Sequence, residues 1–216
     1  MKVRYDKLWR LMKDNKMKKS ELAKAAEISS YAMTKLNRDL PVSMEVMIIP
    51  FTSISRFSSI GVIIMIKQIF EENEKRQITR QILESLIDWF GIPEAREDYI
   101  EKSAGQLYFA AIEDATPIGF LYLKETGKDT VELYVMGVLK EYHCHGVGRG
   151  LFEAAKASAL KSGYSFMQVK TVQMGKYEEY DRTNQFYISM GFKEFEVFPT
   201  LWDEWNPCQI YVMAFR

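Results

Sequence analysis

The stretch Val131 to Phe152 constrains the fold more than any other part of the chain. A β-like run, Val131 to Leu139, leads through a short polar link into Gly146-Val-Gly148, and a helix opens directly behind it. Val147, Leu151, Ala154, Ala155 and Ser158 share one face of that helix. Strand, glycine turn and helix in this order put the free N–H groups of a helix N-terminus beside residues that let an anion approach closely. A pyrophosphate can then be held by backbone alone. Taken by itself, Gly-x-Gly is equally a tight turn before a helix.

A second segment, Asn184-Gln-Phe-Tyr-Ile-Ser-Met-Gly-Phe192, reads as a short helix that ends in Gly-Phe before a strand. The two segments together resemble the GNAT acyltransferases, which use acetyl-CoA. The pyrophosphate loop of that family reads Arg/Gln-x-x-Gly-x-Gly/Ala, and a later helix commonly carries an Asn and a Tyr ahead of Gly-Phe. Here the loop is His143-Cys-His-Gly146-Val-Gly148, so His replaces Arg/Gln at the first position. The backbone cradle should survive that change, while any contribution of the family's side chain is lost. Trp89-Phe-Gly-Ile-Pro-Glu-Ala95 and Leu201-Trp-Asp-Glu-Trp-Asn-Pro-Cys208 also look like segments of one GNAT subgroup. The resemblance runs from about Met65 to Arg216.

The resemblance implies an α/β fold with a mixed central sheet flanked by helices, and acetyl transfer from acetyl-CoA directly to an amine. On it, His143, Cys144, His145, Gly146, Val147, Gly148, Arg149 and Gly150 hold the phosphates, and the strand backbone at Met136 and Val138 holds pantetheine and thioester. Glu132 lies where relatives often place a base acting through water; it is otherwise a solvated strand carboxylate. Tyr187 lies where relatives place the acid that protonates the CoA sulfur; it is otherwise a packing tyrosine. Asn184, one turn earlier, either hydrogen-bonds the cofactor or caps its helix. Proton transfer by placed groups contributes roughly 10²–10⁴-fold, and donors aimed at the developing oxyanion add a comparable factor. Direct transfer leaves Cys144 no role as an acyl carrier. His143 and His145 flank Cys144, but neighbours in a loop rarely converge on one ion and no third ligand stands out, so no metal site is expected.

The acceptor pocket is expected between the first helices of this region and the final hairpin. Its candidates are Trp89, Phe90, Tyr177, Tyr180, Trp202 and Trp205, with Asp88, Glu178, Glu179, Asp181, Asp203 and Glu204 nearby. Aromatic rings beside carboxylates suit a cationic amine. The plainer alternative is aromatics as core and carboxylates as a solvated rim.

Composition fits an ordinary cytoplasmic protein: of 216 residues, 47% are hydrophobic and 13% aromatic, enough for one large or two small cores. Cys144 and Cys208 form no disulfide framework. The N-terminus has no apolar signal core. The longest apolar run, Ile60 to Ile66, falls far short of the roughly 20 residues a membrane-spanning helix needs. The net charge of +0 conceals a split, because residues 1–47 carry 11 Lys/Arg against 6 Asp/Glu. A basic head on an acidic body suggests two modules with different partners.

The head reads as short helices: Tyr5 to Asn15 with Leu8, Leu11 and Met12 on one face, Glu21 to Ala26 capped by Ser20, a turn to Ser29, and Ser30 to Asn37 with Met33 and Leu36 inward. Lys18 to Asn37 looks like the Cro/repressor-type helix-turn-helix family, whose second helix enters the major groove, and Val42 to Met47 resembles the start of that family's next helix. The resemblance implies bases facing Ser30, Tyr31, Thr34 and Lys35, phosphates against Lys19, Asn37 and Arg38, and a homodimer matched to two half-sites. A small basic bundle that binds nothing, or that serves dimerisation, is the other reading. Pro50 and the Ser-rich stretch to Gly61 break the family pattern. The expected division is therefore a helix-turn-helix-like head (1–47), a linker (48–64) and a GNAT domain (65–216).

Within that domain the expected order is strand Ile64 to Phe70, helices Gln77 to Phe90 and Pro93 to Ser103, and strands Gln106 to Ile112, Ile118 to Glu125 and Val131 to Leu139. Helix Val147 to Ser162, strand Ser165 to Val172, helix Asp181 to Met190 and a hairpin of Lys193 to Phe198 with Gln209 to Phe215 follow. The chain thus reads as an acetyl-CoA-dependent N-acetyltransferase acting on a cationic small molecule or a protein amine. The alternatives are a DNA-binding regulator whose GNAT portion senses acetyl-CoA, and a toxin-like acetylase of aminoacyl-tRNA.

Overall fold

The computed structural model describes residues 5, 9, 12, 13, 18–20, 23, 28–40 and 64–215. Most of the expected helices over 5–15 and 21–26, the Val42 to Met47 segment and the linker up to residue 63 lie outside the described residues. In the head, α1 (Ser30–Asn37) starts where Ser29 accepts the Ala32 N–H through its hydroxyl, and buries Ala32, Met33 and Leu36. Ser20, expected as a cap, is already helical together with Lys19, so that helix starts earlier than the sequence suggested. The Tyr5 hydroxyl donates to the Leu40 carbonyl (2.9 Å), tying Tyr5 to the chain just past α1.

The main body runs β1 (Ile64–Ile69), α2 (Glu72–Glu84), α3 (Pro93–Ser103), β2 (Leu107–Glu113), β3 (Thr116–Gly127), β4 (Thr130–Val138), α4 (Val147–Lys161), β5 (Phe166–Val172), α5 (Glu178–Ser189), β6 (Lys193–Phe198) and β7 (Cys208–Ala214). They form one seven-stranded sheet in the order β1-β2-β3-β4-β5-β7-β6. Every neighbouring pair is antiparallel except β4 and β5. That parallel step requires a crossover, and α4 supplies it.

One face is covered by α2 and α3, whose Ile78, Ile82, Leu83, Leu86 and Ile100 pack on Tyr108, Phe120, Tyr122 and Val135. The other is covered by α4 and α5, with Val147, Leu151, Phe152, Ala155 and Tyr187 on Leu121, Leu133, Val169 and Tyr211. α2 begins five residues before the expected Gln77 because Glu71 caps it through a carboxylate bond from the Glu74 N–H (2.6 Å), and Glu72 and Glu74 favour the positive helix end. It stops at Glu84 rather than Phe90: the N–H groups of Trp89 and Phe90 both close turns on the Leu86 carbonyl. Ile87 therefore points outward, 60% exposed. Likewise α5 begins at Glu178, not Asp181, with Glu178, Glu179 and Asp181 in its first turn. No helix among the described residues is long and apolar enough to cross a membrane.

Gly137 lets α2 sit down on β4. A Cβ there would meet Ile82 Cγ2 at 2.9 Å and Leu86 Cδ1 and Phe120 Cε1 at 3.2 Å. Overpacking of this kind typically costs about 1–3 kcal/mol. Gly137→Val should lower the urea-unfolding free energy by that amount, whereas Gly105→Ala, at a position with open space around it, should leave stability within about 0.5 kcal/mol.

Candidate functional site

The site begins with a fault in the sheet. β4 and β5 stay in register only over Thr130↔Phe166 to Leu133↔Val169, although β4 runs on to Val138 and β5 to Val172. Beyond Leu133 the two strands part. On its other side β4 keeps its pairing with β3, but the register slips between Leu133 and Val135, so Tyr134 is an extra residue. Such a bulge bends and twists a strand. It also puts Tyr134 and Val135 on the same face, with α2 and α3, while Leu133 and Met136 belong to the α4 and α5 face.

The gap exposes particular backbone groups. The Leu139 N–H donates to the Ile118 carbonyl (2.9 Å), which makes Val138/Gly119 a non-hydrogen-bonded pair of the β3–β4 ladder. By alternation, Met136 and Val138 turn their N–H and C=O groups away from β3, into the gap. His143, at the departing first position of the glycine loop, uses one of them: its Nε2 carries the proton and donates to the Val138 carbonyl at 2.7 Å. Its ring meets the Trp89 ring edge-on, 5.8 Å between centroids.

Past a single turn of 3₁₀ helix (Lys140–Tyr142), Cys144 and Gly146 take left-handed backbone, φ 58° and 74°. Gly146 is the N-cap of α4, and no side chain caps the helix. The first internal bond is Gly150 N–H to the Gly146 carbonyl (2.8 Å), so the N–H groups of Val147, Gly148 and Arg149 have no partner within the helix. Gly148 is small for packing: a Cβ there would stand 2.7 Å from Met136 Cε and 3.3 Å from Phe186 Cε2. The head of α4, the gap-facing Met136 and α5 thus meet at one point.

Tyr187, next to Phe186 on α5, is buried among Phe192, Tyr211 and Phe186. Burial, with a smaller effect of Tyr180, raises its pKa far above the usual tyrosine value. Asn184, one turn earlier, is fully enclosed and fully engaged: Nδ2 donates to the carbonyls of Val172 (3.0 Å) and Tyr180 (2.7 Å), and Oδ1 accepts from the Tyr211 hydroxyl (2.7 Å). Its amide braces α5 against β5 and β7.

Glu132 projects on the opposite face from Leu133. It is buried, 4% exposed, and its Oε2 accepts from Lys170 Nζ (2.7 Å) and Gln168 Nε2 (3.2 Å). It is a paired carboxylate, not a solvated one. Lys170, Gln168 and Tyr134 are not among the residues that the sequence patterns point to. The available signal is Gln168 and Lys170, two long polar side chains at alternate positions of β5.

Of the six aromatics expected around an acceptor, the structure joins four. The Tyr180 hydroxyl, its pKa pushed up to about 12 mainly by burial, donates to the Trp89 carbonyl (2.9 Å), and Trp89 Nε1 donates to the Glu179 carbonyl (3.4 Å). Tyr177 packs on Tyr180 with ring centroids 6.1 Å apart. Phe90 leads through Tyr99 to Tyr134 at the bulge, with centroid distances of 6.0 and 5.9 Å. Trp202 and Trp205 stand exposed on the β6–β7 loop, which joins the β5–α5 loop through the Gln173 N–H to Pro207 carbonyl bond (2.9 Å). Several of the carboxylates are occupied: Asp88 by Lys140, Glu178 by Arg182, Asp181 by the Gly175 N–H, and Asp203 by the Trp205 and Asn206 N–H groups. In the head, Ser30, Tyr31 and Thr34 are exposed on α1, Lys35 Nζ lies 4.7 Å from the Tyr31 ring centre, and Lys19 reaches Asn37.

A family model for the acetyltransferase (GNAT) domain matches residues 104–194. Those residues are a GNAT domain. A model for the Cro/C1-type helix-turn-helix DNA-binding domain matches residues 7–48. The chain is 37% identical to the mycothiol acetyltransferase of Jonesia denitrificans over 87 residues, 39% of this chain but about a quarter (26%) of that protein's length. A GNAT-family protein from Desulfovibrio desulfuricans shares the fold at TM-score 0.60 and 18% identity, covering 70% of this chain and 98% of that one. The PaiA N-acetyltransferase of Thermoplasma acidophilum, solved in complex with coenzyme A, does so at TM-score 0.55 and 18% identity, covering 70% and 99%.

Asn184→Ala would leave the Tyr211 hydroxyl and the Val172 carbonyl unpaired in the interior, between α5 and the sheet. The expected loss is about 3 kcal/mol of unfolding free energy in denaturant titration. A loss below about 1 kcal/mol would show that the brace is dispensable.

Proposed function

We propose that the GNAT domain transfers an acetyl group from acetyl-CoA directly to an amine, either a cationic small molecule or a protein amine. The parting of β4 from β5 beside an uncapped helix N-terminus carries the reading. The residues present fit acetyl-CoA. A pantetheine arm is amide-rich and can pair with the gap-facing groups of Met136 and Val138 as an added strand would. The pyrophosphate suits the N–H groups at the head of α4, within the loop of His143, Cys144, His145, Gly146, Val147, Gly148, Arg149 and Gly150. Asn184 supports this surface from behind. Acetyl-CoA supplies an activated acyl carbon and a thiolate leaving group.

The chain's own residues do the rest. Glu132 and Tyr187 lie on opposite faces of the sheet, and the gap is what lets both reach one reacting centre. From the α2 and α3 side, Glu132 takes the amine's proton through water. From the α4 and α5 side, Tyr187 gives a proton to the departing sulfur; its raised pKa keeps it protonated throughout the neutral range. A gap-facing N–H of β4 polarises the thioester oxygen. Trp89, Phe90, Tyr177, Tyr180, Trp202 and Trp205 form the acceptor side, where aromatic faces favour a cation.

The head over 1–47, joined by a linker over 48–64 to the domain over 65–216, binds DNA through Ser30, Tyr31, Thr34 and Lys35 as a homodimer in the cytoplasm. The exposed face of α1 supports this, and with it a second reading in which acetyl-CoA is a signal to a DNA-binding regulator. A screen of amines for acetyl-CoA turnover separates the two.

Gly146→Glu, which sets bulk and negative charge in the cradle, should abolish acetyl-CoA binding in calorimetry while the melting temperature stays within a few degrees. Unchanged affinity would remove the loop from the site. Tyr187→Phe should lower kcat at least about tenfold with acetyl-CoA affinity unaltered; equal turnover would reduce Tyr187 to packing. DNA affinity of the full chain should fall steeply with salt as phosphate contacts release counterions, and salt-insensitive binding would contradict the phosphate-contact account.

A further inference from the structure

The fork of the sheet holds an ion pair that the catalytic reading has not used. Glu132 is in register with Gln168, Leu133↔Val169 is the last paired position, and Lys170 is the first β5 residue beyond it. The Lys170–Glu132 bond, 2.7 Å, therefore spans the strands where they begin to part. The Glu132 side chain is 5% exposed and that of Lys170 27%, so the pair is largely withdrawn from water. Lys170 and Gln168 both bind Oε2, and neither uses Oε1. Removing the cation from a buried carboxylate raises its pKa, and once protonated the group no longer acts as a base.

We propose that Lys170 is a positioning residue for Glu132: it keeps the carboxylate ionised at the fork and pins one oxygen, leaving the other to take the acceptor amine's proton through water. This rests on the reading of Glu132 as the base. The other groups facing Glu132 are set less directly. From β3, Lys124 is in register with Glu132 but lies over the Tyr134 ring, 4.5 Å from its centre. From α3, Tyr99 packs on Tyr134, while Asp98 and Lys102 pair with each other. From β7, Cys208 stands opposite Val172, a neutral thiol whose pKa burial pushes up to about 11. Lys170 is the cation in hydrogen-bonding contact with Glu132.

The test uses the full chain with ¹³C-labelled glutamate, the Glu132 carboxyl resonance being assigned by its loss in Glu132→Gln. Its titration is followed with pH, and kcat/KM is profiled by thiol release from acetyl-CoA with the best amine from the acceptor screen. In Lys170→Met, and in Lys170→Gln as a second neutral variant, the Glu132 titration should move at least one pH unit upward. The acidic limb of kcat/KM should move with it, and acetyl-CoA affinity should hold. Lys170→Arg should restore both, and Lys170→Met should change nothing further in a Glu132→Gln background. A Glu132 titration and an acidic limb at their original positions in both neutral variants would overturn the proposal. If Glu132→Gln turns over like the parent, the base reading itself fails, and the Lys170 role fails with it.

Discussion

The parting of β4 and β5 is the constraint on which the rest of this molecule depends. A parallel pair normally gains stability with each added rung, and both strands here are long enough to add more. They do not, because the extra residue Tyr134 turns β4 just past Leu133. Unpaired backbone inside a protein is costly unless something satisfies it. The structure meets part of the need with His143, whose ring takes the Val138 carbonyl. The Met136 N–H and C=O and the Val138 N–H still face the gap, next to the uncapped head of α4. A strand edge and a helix N-terminus meeting at one place favour a ligand that is amide at one end and polyanion at the other.

The loops around the gap are bound to one another. Trp89 touches His143 of the glycine loop by its ring, the Glu179 carbonyl by its indole nitrogen and the Tyr180 hydroxyl by its own carbonyl. The α2–α3 turn, the glycine loop and the start of α5 are thereby joined through one residue. A second aromatic path, Phe90–Tyr99–Tyr134, leads from that turn to the bulge. The departure of His143 from the family's Arg/Gln gains a physical role in this setting. It anchors the loop to the end of β4 and to Trp89 in place of reaching outward.

Much of this was legible where the signal is local. Gly146 and Gly148 with the apolar face behind them fixed the start of α4 at Val147, and the Ile78, Ile82, Leu83 spacing identified the buried side of α2. Boundaries failed where an acidic residue did the capping: Glu71 begins α2 earlier than its apolar stripe suggests, and Trp89 and Phe90 fall in a turn that the stripe seemed to include. Asn184 and Tyr187 were legible as a pair, but not the fact that the Asn184 amide is consumed by Val172, Tyr180 and Tyr211. The pairing of Glu132 with Lys170 depends on which strands are neighbours. That follows from the long-range crossover through α4, which no local periodicity encodes.

Backbone hydrogen exchange of the full chain, read residue by residue with and without saturating acetyl-CoA, tests the account most directly. If the gap and the head of α4 hold the cofactor, protection should rise at the amides of Met136 and Val138 and at those of Val147, Gly148 and Arg149. Val135 and Gly137, already bonded to β3, should change little. Tight acetyl-CoA binding that leaves the Met136 and Val138 amides exchanging at their free rates would contradict the claim that the parted strands form the cofactor site.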